Sequence, residues 1–303
     1  MNIEIRKEKI EDYYETEAMT RRSFYNVYNP GCDEHLLVHK LRGHKDYLPE
    51  CSRVAVVDGK IAGTIMYFKA VIHTDGEDIE IASFGPLCVD HKYKNKGIGR
   101  RLLEETIPLV KAAGFRGIVI FGEPYYYPKL GFQRCREFGL TDMEGNAPDA
   151  FMGFELIEGG LHIKGGRFEE SSVCEECTGE ALEEPEKQFP PIRKVKQPCQ
   201  WSYENAYDDR EGYHYKYATH CPKVFEELFR RYIPDNSEEL LKNIWEAIEK
   251  TPYVLFMGEE PIGMMVVSVS EEPVLEYLFI EKSGDEAERI KKEITERFIK
   301  ANQ

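Results

Sequence analysis

The chain has 303 residues, 42% of them hydrophobic and 31% charged, with a formal net charge of −15. This length suits two domains of ordinary size, and the composition is that of a folded globular protein. No apolar stretch approaches the ~20 residues of a membrane span. The opening MNIEIRKEKIEDYYE lacks the apolar core of a secretory signal, and an acidic surface repels nucleic acid and anionic lipid. The expectation is a cytoplasmic protein that engages neither nucleic acid nor membrane.

The elements follow in chain order. Asn2 to Arg6 alternates apolar and polar, as a half-buried strand does, and a helical pattern runs from Ile10 to Val27 until Pro30-Gly31 breaks it. A second helix is predicted from Asp33, its N-cap, to Lys45. Arg53–Val57 and Ile61–Tyr67 flank Asp58-Gly59-Lys60, a hairpin signal, and a third strand is predicted from Ile79 to Val89. A charged loop leads to Gly97-Ile98-Gly99, then a helix to Ala113, with Leu102, Leu103, Ile107 and Val110 at helical spacing. Strands are predicted at Gly117–Phe121 and Ala150–Ile157, with a short helix and strand between Tyr125 and Phe132.

After Gly159 the composition shifts to glycines, Cys174-Glu-Glu-Cys177 and an acidic run to Glu186, a peripheral extension or linker. The domain boundary is placed near Pro191, giving domains of residues 1–190 and 191–303. The C-terminal part is predicted as helices at Pro222–Arg231 and Ser237–Lys250, strands at Tyr253–Met257, Ile262–Val269 and Val274–Ile280, and a helix at Asp285–Ala301. Hairpin, strand, helix thus occurs twice. The second copy has Glu281-Lys-Ser-Gly-Asp285 where the first has its glycine loop. It is either a degenerate half-copy of the same unit or a generic α+β module.

Eight cysteines are scattered through the chain. Cys174, Cys177, Cys199, His220 and Cys221 contain enough ligands for zinc, but the interval is loose and reduced cysteines without metal are the expectation.

Lys94-Asn95-Lys96-Gly97-Ile98-Gly99-Arg100 carries the chemistry. Glycines where a strand meets a helix let backbone approach a ligand, and the first helical turn presents unpaired N–H groups and a positive dipole end, a site for phosphate. Lys92, Lys94, Lys96, Arg100 and Arg101 add positive charge. A dinucleotide fold needs a third glycine where this chain has Leu102, and a P-loop needs Gly-Lys-Ser/Thr. Both fail.

The stretch Val89–Gly99 resembles the acetyl-CoA motif of GNAT acetyltransferases, with Lys94 in place of the family's usual Gln or Arg. Gly85-Pro86-Leu87-Cys88-Val89 is similar to the family's fourth strand, and Tyr127-Pro-Lys-Leu-Gly131-Phe132 to its Tyr-x-x-x-Gly-Phe signature. Gly122-Glu123-Pro124 with the following tyrosines, and Pro148–Met152, resemble the YhbS-like subgroup. The resemblance covers residues 1–190.

It implies an α/β fold: a mixed sheet with a splayed central pair, a GNAT acyl-CoA N-acyltransferase domain followed by a smaller α+β domain. It implies acetyl transfer from acetyl-CoA to a primary amine of a small molecule by direct attack. The implied cofactor contacts are Leu87, Cys88, Val89, Lys94, Asn95, Lys96, Gly97, Ile98, Gly99, Arg100 and Tyr127. Tyr127 is the implied general acid, with Tyr126 in reserve, and Glu80 or Glu123 the base, unless water serves; His73 is read as a surface residue. Cys88 is read as a strand residue, not a nucleophile. Two rival readings stay open, a non-catalytic acyl-CoA sensor and a protein lysine acetyltransferase. The second domain is expected to close one end of the acceptor pocket or to mediate homodimerisation.

Overall fold

The computed structural model describes residues 2–177, 179–200, 212–269 and 272–303. By internal contacts it divides into two units. One comprises residues 1–21, 33–90 and 97–189, and the other residues 22–32, 91–96 and 190–303.

The first unit is built on a mixed sheet. Its elements are β1 (Ile3–Arg6), α1 (Tyr13–Phe24), α2 (Glu34–Leu41), β2 (Arg53–Val57), β3 (Lys60–His73), β4 (Asp78–Val89), α3 (Ile98–Ala112) and β5 (Gly117–Phe121). They continue as β6 (Gln133–Arg134), α4 (Cys135–Phe138), β7 (Thr141–Asp142), β8 (Phe151–Glu155), β9 (Arg167–Glu169) and α5 (Glu183–Glu186). The strand order is β1-β2-β3-β4-β5-β8-β6, with β9 pairing β3 and β7. All pairings are antiparallel except β4–β5 and β7–β9. Helix α3 buries Ile98, Leu102, Leu103, Thr106 and Val110, the stripe that its spacing predicts.

Three local differences from the sequence expectation have simple causes. α1 stops at Phe24 because Asn26 takes a positive φ of 61° and the chain turns. Asp33 stands at the N-cap of α2, but its backbone oxygen, not its side chain, receives Leu36 N and Leu37 N. The segment after Gly159 is no loose extension. Leu161, Ile163 and Phe168 are buried with Ile72, Ile81, Val119 and Phe151, so apolar burial outweighs the glycine-rich composition.

The second unit holds β10 (His214–Tyr217), α6 (Pro222–Tyr232), α7 (Ser237–Glu246), β11 (Lys250–Met257), β12 (Glu260–Ser268), β13 (Val274–Ile280) and α8 (Asp285–Asn302). Its antiparallel sheet has the order β10-β11-β12-β13. α8 buries Ala287, Ile290, Ile294 and Phe298 against Tyr253, Leu255, Met265 and Val267.

The element order of the first unit, β1-α1-α2-β2-β3-β4-α3, is repeated as β10-α6-α7-β11-β12-β13-α8. The registers repeat as well. A bulge falls between Ala55 and Val56 opposite β3, and another between Leu255 and Phe256 opposite β12. Gly63 lies between Ala55 and Val89, and Gly263 between Leu255 and Ile280. At both glycines a side chain would collide with the neighbouring strand: a Cβ would lie 2.9 Å from the Cys88 carbonyl oxygen or 2.2 Å from that of Phe279.

Candidate active site

The sheet opens where β4 leaves β5. The two strands pair only at Ala82–Ile118. β5 runs on with β8 from Gly117–Glu155 to Phe121–Phe151, while β4 stays with β3 as far as Gly63–Val89. An extra residue on β4 between the pairs Ile65–Leu87 and Tyr67–Phe84 makes a bulge inside this span. From Ser83 to Val89, the edge of β4 turned from β3 has no strand partner among the described residues. Such an edge is a row of backbone donors and acceptors that needs an extended polar partner.

The strand leads into the start of α3. Gly97, at φ 79° and ψ 5°, is the N-cap, a conformation that costs other residues strain. Its carbonyl accepts Arg101 N at 3.0 Å. The first turn of α3 holds no acidic residue, so the positive end of the helix dipole is left to an outside anion. The flanking arginines are less free than the sequence suggests. Arg100 pairs with Glu104 and Arg101 with Glu105, each at 2.7 Å, and Arg101 also donates to the Ile3 carbonyl at 2.9 Å. Lys94, Asn95 and Lys96 belong to the segment grouped with the second unit. There Asn95 has a φ of 60° and Lys96 donates to the Lys92 carbonyl at 2.8 Å.

Beyond β5 the chain folds an aromatic corner. Gly122 N donates to the Ala150 carbonyl at 2.8 Å, and the Glu123 carbonyl accepts Tyr126 N and Tyr127 N at 3.0 and 3.3 Å. A 3-10 turn, Tyr127–Leu130, follows and ends at Gly131. The Tyr127 ring fills the place a side chain would take at Gly122, since a Cβ there would lie 2.3 Å from the ring. It packs on Phe84 at 5.8 Å, Phe132 at 5.3 Å and Tyr126 at 5.1 Å between ring centroids. A Cβ at Gly99 would lie 2.8 Å from the Tyr126 hydroxyl and 3.6 Å from a Val89 methyl, so Tyr126, Val89 and the first turn of α3 converge.

Burial pushes the Tyr127 hydroxyl upward, with the charges of Tyr126, Glu123, Tyr67 and Cys88 adding to it. The hydroxyl therefore stays protonated at neutral pH, and it makes no hydrogen bond among the described residues. It is a donor without an acceptor, as a general acid awaiting its leaving group must be. Burial also raises Tyr126, against the opposing charge of Arg100.

The remaining expected residues divide. Leu87 and Val89 lie on the open span, and Cys88 is turned toward α1, 3.6 Å from Thr20 Oγ1 and 3.8 Å from Met19 Sδ. Glu123 stands at the start of the tyrosine turn. Glu80 is not brought to the opening. It precedes the Ala82–Ile118 pair, is held by Lys69 Nζ at 3.0 and 3.1 Å, and lines a surface cavity of about 360 Å³ with residues 48–51, Lys69 and residues 113–115. His73 bridges Asp78 at 2.7 Å and Glu169 at 2.8 Å at the β3–β9 edge, again away from the opening. Among the described residues no group of three or more His, Cys, Asp or Glu side chains is placed to hold a metal, and Cys177 donates to the Val173 carbonyl at 3.1 Å.

Two features escaped the sequence reading. Ser83, the first β4 residue past the last β5 pair, is 1% exposed, and its hydroxyl has no hydrogen-bond partner among the described residues. At the N-terminus of α2, burial and the neighbouring Asp33 push the Glu34 carboxyl up to about 8. A serine inside a strand and a glutamate in a first helical turn are commonplace in sequence. The available signal was adjacent acids, Asp33-Glu34, opening an apolar helix.

Comparison with known proteins agrees with this geometry. Residues 49–134 match the model of the acetyltransferase (GNAT) domain. The chain is 29% identical over 147 residues to the uncharacterized N-acetyltransferase YhbS of Escherichia coli K12, covering 48% of this chain and 83% of that protein. It is 28% identical over 99 residues to the uncharacterized N-acetyltransferase YjhQ of the same organism, covering 33% of this chain and 55% of that one. Among solved structures, E. coli YhbS in complex with CoA superposes with a TM-score of 0.50 at 27% identity, over 57% of this chain and 92% of that one. Among the described residues no helix is long and apolar enough to cross a membrane. The first unit of this chain has the GNAT fold, and its residues 49–134 match the acetyltransferase (GNAT) domain.

Proposed function

We propose that this protein transfers an acetyl group from acetyl-CoA to a primary amine of a small molecule, in the cytoplasm, where its free cysteines stay reduced. The observation that carries this reading is the departure of β4 from β5 after Ala82, next to a helix start that holds no acid of its own. The residues fit the co-substrate. The open edge from Ser83 to Val89 offers backbone partners to an amide-bearing arm, and the first turn of α3 offers N–H groups to phosphate. Acetyl-CoA supplies an activated thioester carbonyl.

The protein then has three tasks. The backbone N–H groups of Leu87–Val89 stabilise negative charge on the carbonyl oxygen as the amine nitrogen forms its bond to carbon. Tyr127 gives its hydroxyl proton to the sulfur as the carbon–sulfur bond breaks and the sulfur leaves with the electron pair. Glu123 takes, through water, the proton that the nitrogen sheds after attack and passes it to Tyr127. Glu80 has no part in this scheme, because it lies outside the opening and is bound to Lys69.

The test is thermal melting with and without acetyl-CoA. A ligand that binds only the folded state, present at a hundred times its dissociation constant, adds about 2.7 kcal/mol. A saturable rise is expected, and no rise at millimolar acetyl-CoA sinks the proposal.

A further inference from the structure

We infer that the free edge of β13 is a homodimer surface. It pairs antiparallel, about a two-fold axis at Tyr277, with the same strand of a second copy of this chain, so that Glu272 of each copy meets Lys282 of the other. This goes beyond the acetyl-transfer reading and does not rest on it.

β13 is an edge of the second unit's sheet, with β12 its one strand neighbour among the described residues. It runs for seven residues, Val274–Ile280, whereas the opposite edge strand, β10, runs for four. Edge strands that must stay unpaired are kept short or carry Lys or Pro along the edge. Val-Leu-Glu-Tyr-Leu-Phe-Ile has neither. Its single charge, Glu276, is the extra residue of a bulge opposite β12, and its carboxylate is taken by Lys250 Nζ at 2.8 Å.

The side chains of the strand are already committed within the protomer. Tyr277 packs on Phe229 at 5.4 Å and Phe279 on Tyr232 at 4.8 Å between ring centroids, both partners lying on α6. Leu275 and Leu278 pack against the cluster that holds Ile290, Ile294 and Phe298 of α8. Helices therefore cover both faces. What stays open is the row of backbone groups along the edge, with Val274 47% exposed at its start. Another strand satisfies such a row, and an apolar patch does not.

The internal repeat points the same way. β13 stands where β4 stands in the first unit, after a hairpin with the same bulge. β4 has β5 beside it at Ala82, and β13 has no counterpart of β5 among the described residues. A second copy can supply that strand.

Charge selects the register. Two copies of one strand pair antiparallel with one residue on the two-fold axis, and residues equally far from it stand opposite each other. With Tyr277 on the axis, Glu272 stands opposite Lys282 of the partner subunit, and the reciprocal pair forms on the other side. Exposed Val274 then stands opposite Ile280 of the partner subunit. Neither Glu272 nor Lys282 has an ion pair or side-chain hydrogen bond among the described residues, whereas the adjacent Glu281 is held by Arg231. An axis at Glu276 would set that carboxylate against itself. An axis at Leu278 would put Gly284 opposite Glu272 and Val274 opposite Lys282. Opposite charges facing each other across paired strands are stabilising, and like charges are destabilising.

Sedimentation velocity on the full chain over a micromolar concentration series tests this, with thermal melts to show that each variant is folded. Wild type is expected to dimerise. Glu272→Lys and Lys282→Glu each turn two opposite-charge pairs into two like-charge pairs, and each should raise the dimer dissociation constant about tenfold. The double variant Glu272→Lys/Lys282→Glu restores both pairs with their signs exchanged and should return the constant to the wild-type value. A monomeric wild type, whose β13 edge then has another occupant or none, overturns the inference. So does a dimer indifferent to the single reversals, which would be built on another surface, or one that the double variant fails to restore.

Discussion

The two strand-to-helix junctions, β4–α3 and β13–α8, share one arrangement of elements and differ in what they offer a ligand. Both follow a bulged hairpin in the same register, with Gly63 and Gly263 at matching positions. They differ in what surrounds the helix start. α3 opens without an acid, whereas α8 opens with Asp285, Glu286 and Glu288, which meet its dipole from within. β4 has a fifth strand that pairs with it and then parts from it. β13 is the last strand of its sheet among the described residues, so there is no opening. The hairpin register is common to both, and the charge of the first helical turn and the neighbour across the sheet set them apart.

That contrast can be broken at several points. The largest effect is expected from Tyr127→Phe. It keeps the ring against Gly122 but removes the proton donor, and should lower kcat about 100-fold with little change in KM for acetyl-CoA, as steady-state kinetics would show. Gly97→Trp should abolish the acetyl-CoA melting shift of about 2.7 kcal/mol, while Gly284→Trp at the start of α8 should leave it intact. Equal losses in both variants would dissolve the distinction between the junctions. Urea unfolding should show Gly63→Ala and Gly263→Ala each destabilising by about 1–3 kcal/mol, the second more, because its Cβ meets a carbonyl oxygen at the shorter distance.

The smallest effect belongs to His73, whose imidazole is raised by its hydrogen bonds to Glu169 and then Asp78. A raised folded-state pKa means that the stabilisation is complete below the unfolded value and is lost as pH rises through the folded one. His73→Gln should flatten that loss in melts across pH 6–8, by at most about 1 kcal/mol for so exposed a pair.

Much of this was legible in the sequence. Periodicity located α3, β5 and α8 to within a residue or two, and Gly97-Ile98-Gly99 marked the helix start, because both signals are local. Glu80 was offered as a base by the resemblance alone, and neither the resemblance nor alternation along a strand tells where that strand leaves its neighbour. That depends on Ala82 meeting Ile118, which no local pattern encodes. The segment after Gly159 was misjudged because its glycines and acids outweighed the three apolar residues, Leu161, Ile163 and Phe168, that enter the core. Ser83 and Glu34 went unnoticed because what distinguishes them, a buried hydroxyl without a partner and a carboxyl raised by its surroundings, is a property of the folded chain.

The unpaired edge of β4 also bears on how long a molecule survives. An unpaired row of backbone groups is the kind of surface that recruits strands from neighbouring chains into aggregates. An extended ligand lying along Ser83–Val89 would cap it. Scarcity of that ligand would then both idle the enzyme and shorten its life, so the metabolite it consumes would also act as its preservative.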